Sequence, residues 1–396
     1  MDELALFTIR TSLLQLFLQK HKYDGILIRR ADNFAMATGG KRNYVSTYTD
    51  LGAFGLFVSR DGRLAFVGNN IEEPRALAEE LADFGCHSIS ALWFEDNALQ
   101  RLQNEFSGHL VSDDGSLGEN VNGKLAVLRS LLTEAELEKY RKLGGLAAEA
   151  MVATLDQIGR GMTEAEVASI LTAEGARRHC LMSVALVAAD ERIAQYRHPL
   201  PTTPSLLDTA KGSRPVEKYV MVVGGFMREG LVVSMTRFKQ VDELPDSLLE
   251  AQERICGVDA LIQEATQPGE NLGEILQVAT EAYEKLGFSE HEWYNHHQGG
   301  STGYAGRTCK ASPGETFPVL PTTWSSRLQE HFEIEAELGQ AFAWNPSAPG
   351  VKSEDTFLLL PSGKQEIVTA TPSLPRINLE HVIGQDTRIE KSGFAR

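Results

Sequence analysis

The chain has 396 residues, 42% hydrophobic and 23% charged, with 35 Gly and 15 Pro: an ordinary composition, long enough for one large domain or two, that excludes a disordered, collagen-like or disulfide-stapled protein. No stretch approaches the ~18 apolar residues of a membrane span. The 38 Lys and Arg against 54 Asp and Glu leave a formal charge of −16, and the sequence has no basic patch to offset it, so no nucleic-acid partner is expected.

Residues 4–21 set Leu4, Phe7, Leu13, Leu14, Phe17 and Leu18 near helical spacing, which predicts an amphipathic helix. Asp24-Gly25-Ile26-Leu27-Ile28 predicts a short buried strand, and Gly39-Gly40 a turn into the polar and aromatic stretch 41–50. Residues 52–59 and 64–67, around Asp61-Gly62, predict a hairpin. Helices are expected at 72–84 and 96–106, and the polar run Asp113-Asp114-Gly115-Ser116-Leu117-Gly118-Glu119 is read as a linker closing a small α/β domain. The acidic Met1-Asp2-Glu3-Leu4, and Gln15 interrupting Leu13–Leu18, do not suit a secretory signal. Cys86, Cys180, Cys256 and Cys309 lack CxxC spacing and read as reduced thiols, so a cytoplasmic location is expected.

A long helix is predicted over roughly 133–158, opened by the capping box Thr133-Glu134-Ala135-Glu136. A second box, Thr163-Glu164-Ala165-Glu166, opens another helix after Gly161. Gly161, Thr163, Glu166 and Val167 fall opposite Gly269, Asn271, Glu274 and Ile275, each 108 residues on. A helix-helix-strand unit used twice suggests a duplicated domain with a cleft between its halves. Strands are expected at 219–226 and 231–238 around Arg228-Glu229-Gly230. Further blocks are the loop His296-His297-Gln298-Gly299-Gly300-Ser301-Thr302-Gly303-Tyr304, the segment Ala341-Phe342-Ala343-Trp344-Asn345-Pro346, and Val351-Lys352-Ser353-Glu354-Asp355-Thr356 before a turn at 361–364.

In order and spacing these blocks resemble the creatinase, aminopeptidase P and methionine aminopeptidase family over nearly the whole chain. The resemblance implies an α/β (α+β) protein. A creatinase-type N-terminal domain would span 1–130, and a duplicated pita-bread catalytic domain 131–396. The family's peptidases hold two divalent metals with two Asp, one His and two Glu. The matching positions here are Val223, Ser234, Gly300, Asn345 and Glu354, so one ligand of five remains. Two cations ~3.5 Å apart need several carboxylates. No metal and no cofactor is therefore expected.

Creatinase shares the fold and works without metal, using a His and glutamates on a guanidino compound. Its histidine matches His198 in Tyr196-Arg197-His198-Pro199, one glutamate matches Glu354, and the other falls at Thr236. His198 is thus expected as general acid/base and Glu354 as its carboxylate partner. Expected at the substrate are Arg307 as an anion clamp, Lys352, Asn345, Ser234 and one of His296 and His297, since neighbours on a strand point to opposite faces. The bland alternatives are a loop histidine, a surface arginine, an ordinary Lys352–Glu354 salt bridge and polar residues filling a hole. Arg237 is expected to brace its strand. The expected activity is C–N hydrolysis of a small amide, guanidino or amino-acid-like substrate. An inert binding or scaffold protein, an Xaa-Pro peptidase or a lyase is the alternative. Small-molecule substrate aside, the resemblance implies a homodimer, with 41–44 at the partner's cleft rim, and no membrane partner.

Overall fold

In a computed structural model, which describes residues 2–204 and 212–396, the chain opens with a helix over the expected span, Glu3–His21, but not an amphipathic one: Arg10, Thr11 and Ser12 are buried with the apolar residues, and Leu4 is exposed. The Asp2 carboxylate accepts from the Ala5 amide at 2.8 Å and so satisfies one of the helix's free N-terminal donors. Leu13, Leu14, Phe17 and Leu18 are buried. Next comes a five-stranded sheet: β1 (Gly25–Arg30), β2 (Leu51–Ser59), β3 (Leu64–Asn69), β4 (His87–Ala91) and β5 (Leu110–Ser112), in the order β4-β3-β2-β1-β5. The expected hairpin is β2–β3, with Gly55 opposite Val67. The helix expected at 72–84 is shorter, one α-turn Glu73–Arg75 continued as a wide turn Ala76–Glu80, whereas Ala98–Glu105 matches its expectation.

Residues 113–119 are not an open linker. Asp113 and Leu117 are buried, and Asp113 accepts from the amides of Arg29 (2.8 Å) and Arg30 (3.0 Å) and from Asn33 Nδ2 (2.9 Å). The polar side chain serves the free donors where β1 passes into the helix Ala31–Thr38. A polar run can therefore be structural rather than exposed.

Thr133 and Glu136 form the expected capping box on the helix Glu134–Leu155. Glu136 also receives Arg10 Nε at 2.7 Å and the Tyr304 hydroxyl, with Arg10 and Glu136 fully buried. The 108-residue repeat appears as two capping boxes of the same form, Thr163–Glu166 on the helix Glu164–Arg177 and Asn271–Glu274 on the helix Leu272–Lys285. The Gly161 amide donates to Val216 O at 2.8 Å, and the Gly269 amide to Val319 O at 3.1 Å.

Each half carries a sheet. One is β7 (Leu181–Ala189), β8 (Tyr219–Arg228) and β9 (Leu231–Gln240). The other runs β11-β10-β12-β15-β16, with β10 Gly299–Thr302, β11 Cys309–Lys310, β12 Gly339–Trp344, β15 Asp355–Leu359 and β16 Gln365–Ile367. β6 (Leu131–Leu132) pairs with β12 at its edge, and β13 (Ser347–Ala348) pairs with β14 (Val351–Lys352). The two sheets meet along β9, where the Thr236 amide donates to Glu354 O (3.1 Å) and the Ser234 amide to Thr356 Oγ1 (2.8 Å). One apolar cluster runs from Phe7, Leu14 and Phe34 through Tyr140 and Met151 to Val222 and Tyr304, so the first sheet and the duplicated part share a core. No helix among the described residues is long and apolar enough to cross a membrane, and the four cysteines are free thiols.

Candidate functional site

His198 follows the short helix Glu191–Gln195 on an exposed loop. Its neighbour Arg197 pairs with Glu292, in the helical turn Glu292–Asn295 immediately before His296. Gln298 Nε2 donates to His296 O at 2.7 Å and to Trp293 O at 3.0 Å, while the Tyr283 hydroxyl donates to Gln298 Oε1 at 3.1 Å. These ties bring the Nε2 atoms of His198 and His296 to 2.9 Å. The His297 ring lies 4.5 Å from that of His296 and 5.3 Å from that of His198, centroid to centroid. The expectation that only one of His296 and His297 faces the cleft is thus overturned. β10 begins at Gly299, so strand alternation does not govern the two residues before it. His198 is exposed, His297 half-buried and His296 buried.

Burial pushes His296 down to about 2, helped by Lys352, and His297 down to about 3, helped by Lys310 and Arg307. His198 moves the same way, first through burial and then through Lys352. All three imidazoles are therefore neutral near pH 7.

Glu354 is 3% exposed, in the two-residue link between β14 and β15, and near enough to act electrostatically on His198 and His296. One oxygen accepts from Arg307 Nη2 at 2.7 Å. The other accepts from Thr236 Oγ1 at 2.7 Å and faces Lys352 Nζ at 3.1 Å. Burial alone would raise its pKa, but Lys352 and Arg307 outweigh it and hold the carboxyl down at about 2. The ion pair with Lys352 is real, and Arg307 is a cleft residue rather than a surface one. The expected pairing of Glu354 with His198 is not a direct contact: among the described residues His198 makes no hydrogen bond or ion pair with it, though the carboxylate acts on the imidazole electrostatically.

Arg307 Nη1 also donates to Ser234 Oγ at 3.3 Å. Asn345 is buried, with its amide donating to Gln298 O at 3.0 Å and its Oδ1 unpartnered. Val223 packs in an apolar cluster with Leu186 and Ala188. Gly300, at φ +148°, has no room for a side chain: a Cβ there would sit 2.3 Å from Cys309 O on β11. Arg237 braces β9 as expected, donating to Asp355 Oδ1 at 2.6 Å and to Thr371 Oγ1 at 2.8 Å.

Of fourteen buried side-chain polar atoms without a partner among the described residues, seven lie here: on Arg197, His296, His297, Arg307, Thr308, Asn345 and Ser347. A buried unsatisfied group costs roughly 1–3 kcal/mol, so such a concentration marks a place built to receive polar groups from outside the chain. A surface groove of about 440 Å³ between Glu149, Val152, Arg178 and Thr371 shares no residue with this site.

Thr236 is marked in the sequence only as the place of creatinase's second glutamate, and Gln298 and the pair Arg197–Glu292 have no signal of their own. Their partners are 118, 15 and 95 residues away, and only the fold joins them. Lys310, which acts on His297, is a further contributor that the sequence blocks do not single out.

The model of metallopeptidase family M24 matches residues 138–360, more than half of the chain. No curated protein matches. Among solved structures, the chain is similar to a dipeptidase from Mycobacterium ulcerans (17% identity, TM-score 0.68, covering 93% of this chain and 97% of that one). It is also similar to a prolidase from Pyrococcus horikoshii (15%, 0.67, 91% and 98%) and to a proline aminopeptidase P II from Yersinia pestis (12%, 0.61, 97% and 100%).

Proposed function

The chain belongs to metallopeptidase family M24, and on that premise we propose that it hydrolyses a C–N bond of a small amide, guanidino or amino-acid-like substrate without the metal pair of the family's peptidases. The observation that carries this reading is how the proton-bearing and charged groups are partnered: neutral imidazoles share a 2.9 Å contact with each other, while the carboxylate is neutralised by two cations. Val223, Ser234, Gly300 and Asn345 offer no carboxylate at the family's metal positions, and Lys352 and Arg307 already occupy both oxygens of Glu354. That donor set does not fit two dications.

In this reading His198, exposed and neutral, donates its Nε2–H to His296, takes a proton from the attacking water at Nδ1 and returns it to the leaving nitrogen. His296 holds the imidazole through the Nε2–Nε2 hydrogen bond and fixes which ring carries the shared proton. Glu354 acts on substrate only through the cations it positions: Arg307 and Lys352 face an anionic group, and Arg307 Nε is unpartnered and available as a donor. Asn345 Oδ1 is an acceptor for a substrate N–H, Ser234 steadies Arg307, and His297 lines the wall beside His198.

The test is turnover by chelator-treated protein across small amides, guanidino compounds and dipeptides. His198→Ala should lower it by about 10²–10⁴-fold, the usual contribution of a general base. Turnover of an Xaa-Pro dipeptide that appears only with added Mn²⁺ would overturn the proposal in favour of the peptidase. The saturated Glu354 favours one second reading, a binding protein that keeps the cleft and runs no reaction; binding without turnover by the same compounds is its signature.

A further inference from the structure

Three imidazoles converge where strand alternation predicts at most two. One nitrogen from each of His198, His296 and His297 lies within 4.8 Å of the others, and none of the three residues stands at a metal position of the family's peptidases. We propose that this trio is a separate site for one late transition-metal ion, Zn²⁺, Ni²⁺ or Cu²⁺.

The geometry needs little change. With metal–nitrogen bonds of about 2.0–2.1 Å, two nitrogens 2.9 Å apart subtend roughly 90° at a shared ion. His296 and His198 already meet that spacing, and the ion would take the place of the proton between them. His297 has to close in by roughly 1–1.5 Å to reach the ~3.3 Å spacing of tetrahedral ligands. His198 sits on an exposed loop and can move to meet it. The exposed side leaves a coordination position open to water or an anion. His296 is 8% exposed with its Nδ1 unpartnered, as is Nδ1 of His297, so no internal hydrogen bond at those atoms has to be broken.

Charge selects the ion. Lys352 and Arg307 share the single negative charge of Glu354, and Lys310 adds another cation beside His297, so the surroundings are net positive. Hard ions held mainly by charge, such as Mg²⁺, Ca²⁺ and Mn²⁺, are rejected. Ions high in the Irving–Williams order, which bind imidazole strongly at a neutral nitrogen donor set, remain. The same positive field favours an anion in the open position.

This goes beyond the hydrolase reading and has a distinct consequence for it. An ion on His198 Nε2 takes the place of the proton shared with His296 and, by withdrawing electron density from the ring, lowers the basicity of Nδ1, so occupancy inhibits the metal-free reaction.

The experiment uses the full chain, chelated and then titrated with Zn²⁺ by calorimetry. Co²⁺ serves as a spectroscopic probe whose visible absorption reports nitrogen ligation. One Zn²⁺ per chain at micromolar affinity is expected, with no Mn²⁺ uptake. His297→Asn should weaken Zn²⁺ at least ~100-fold, at or beyond the top of the 10–100-fold typical of losing a residue that merely supports a ligand. His198→Gln, at an exposed position, should do the same with folding intact. Two results overturn the proposal: no Zn²⁺ binding below millimolar, or binding that both variants leave unchanged. Neither depends on turnover, so absence of activity in the chelated protein counts only against the hydrolase reading, and absence of Zn²⁺ binding only against this site.

Discussion

At Glu354 a single side chain faces opposite demands. By the family resemblance its position is the one match to a metal ligand, yet both oxygens are held by Arg307, Lys352 and Thr236. Removing one partner of a buried ion pair typically costs about 3–5 kcal/mol, because the remaining charge is left uncompensated. Glu354→Gln should therefore lower the free energy of unfolding by about that amount in urea titrations, whatever it does to turnover. His198→Ala, on an exposed loop, should leave stability nearly unchanged. If activity is found, His198→Ala and His296→Ala should be strongly non-additive, since the two rings share one hydrogen bond and act as a unit. Glu354, Arg307 and Lys352 were legible in the sequence through their spacing in known blocks. The pairing of His198 with His296 rather than Glu354 was not, because it depends on where a loop folds back across 98 residues.

Elements fared differently from contacts. Capping boxes, hairpins and the 108-residue repeat were readable because each is written within a few adjacent residues. The stretch 113–119 was misread because its polarity is answered by backbone donors from β1, distant in sequence. That burial raises Asp113 to about 6. A carboxyl whose folded-state pKa is raised contributes stability below its unfolded value, ~3.8, and loses it as pH rises through about 6. Asp113→Asn cannot accept from every donor there and should be less stable throughout. Its deficit should shrink by up to ~3 kcal/mol between pH 4 and 7, as the wild type alone gives up that term; denaturation at the two pH values checks it. The loops bearing the histidines depend on Arg197–Glu292. Glu292→Gln should loosen them, raising KM or weakening ligand binding while the melting temperature moves by only a few degrees.

Across the whole molecule, the first helix, the helix Glu134–Leu155 and the glycine loop are joined at Arg10, Glu136 and Tyr304. Arg10 also donates to Leu131 O at 2.7 Å, in β6, the strand that pairs with β12. Arg10→Met would leave Glu136 buried without its cation and should cost about 3–5 kcal/mol. Because the shared core runs through this point, unfolding monitored by tryptophan fluorescence and by far-ultraviolet circular dichroism should stay coincident in the wild type and separate in the variant.

Gly300 limits what an exchange of side chains can do to the cleft. A histidine there would have to adopt φ +148° and push its Cβ to within 2.3 Å of Cys309 O. The pairing of β10 with β11, Gly300 opposite Lys310, has closed over the space such a side chain would occupy. Restoring Asp at 223 and 234, Glu at 345 and His at 300 together should thus yield a misfolded chain rather than a two-metal enzyme. Side-chain exchange alone therefore cannot convert this cleft to the two-metal chemistry, because the pairing of β10 with β11 would have to open first.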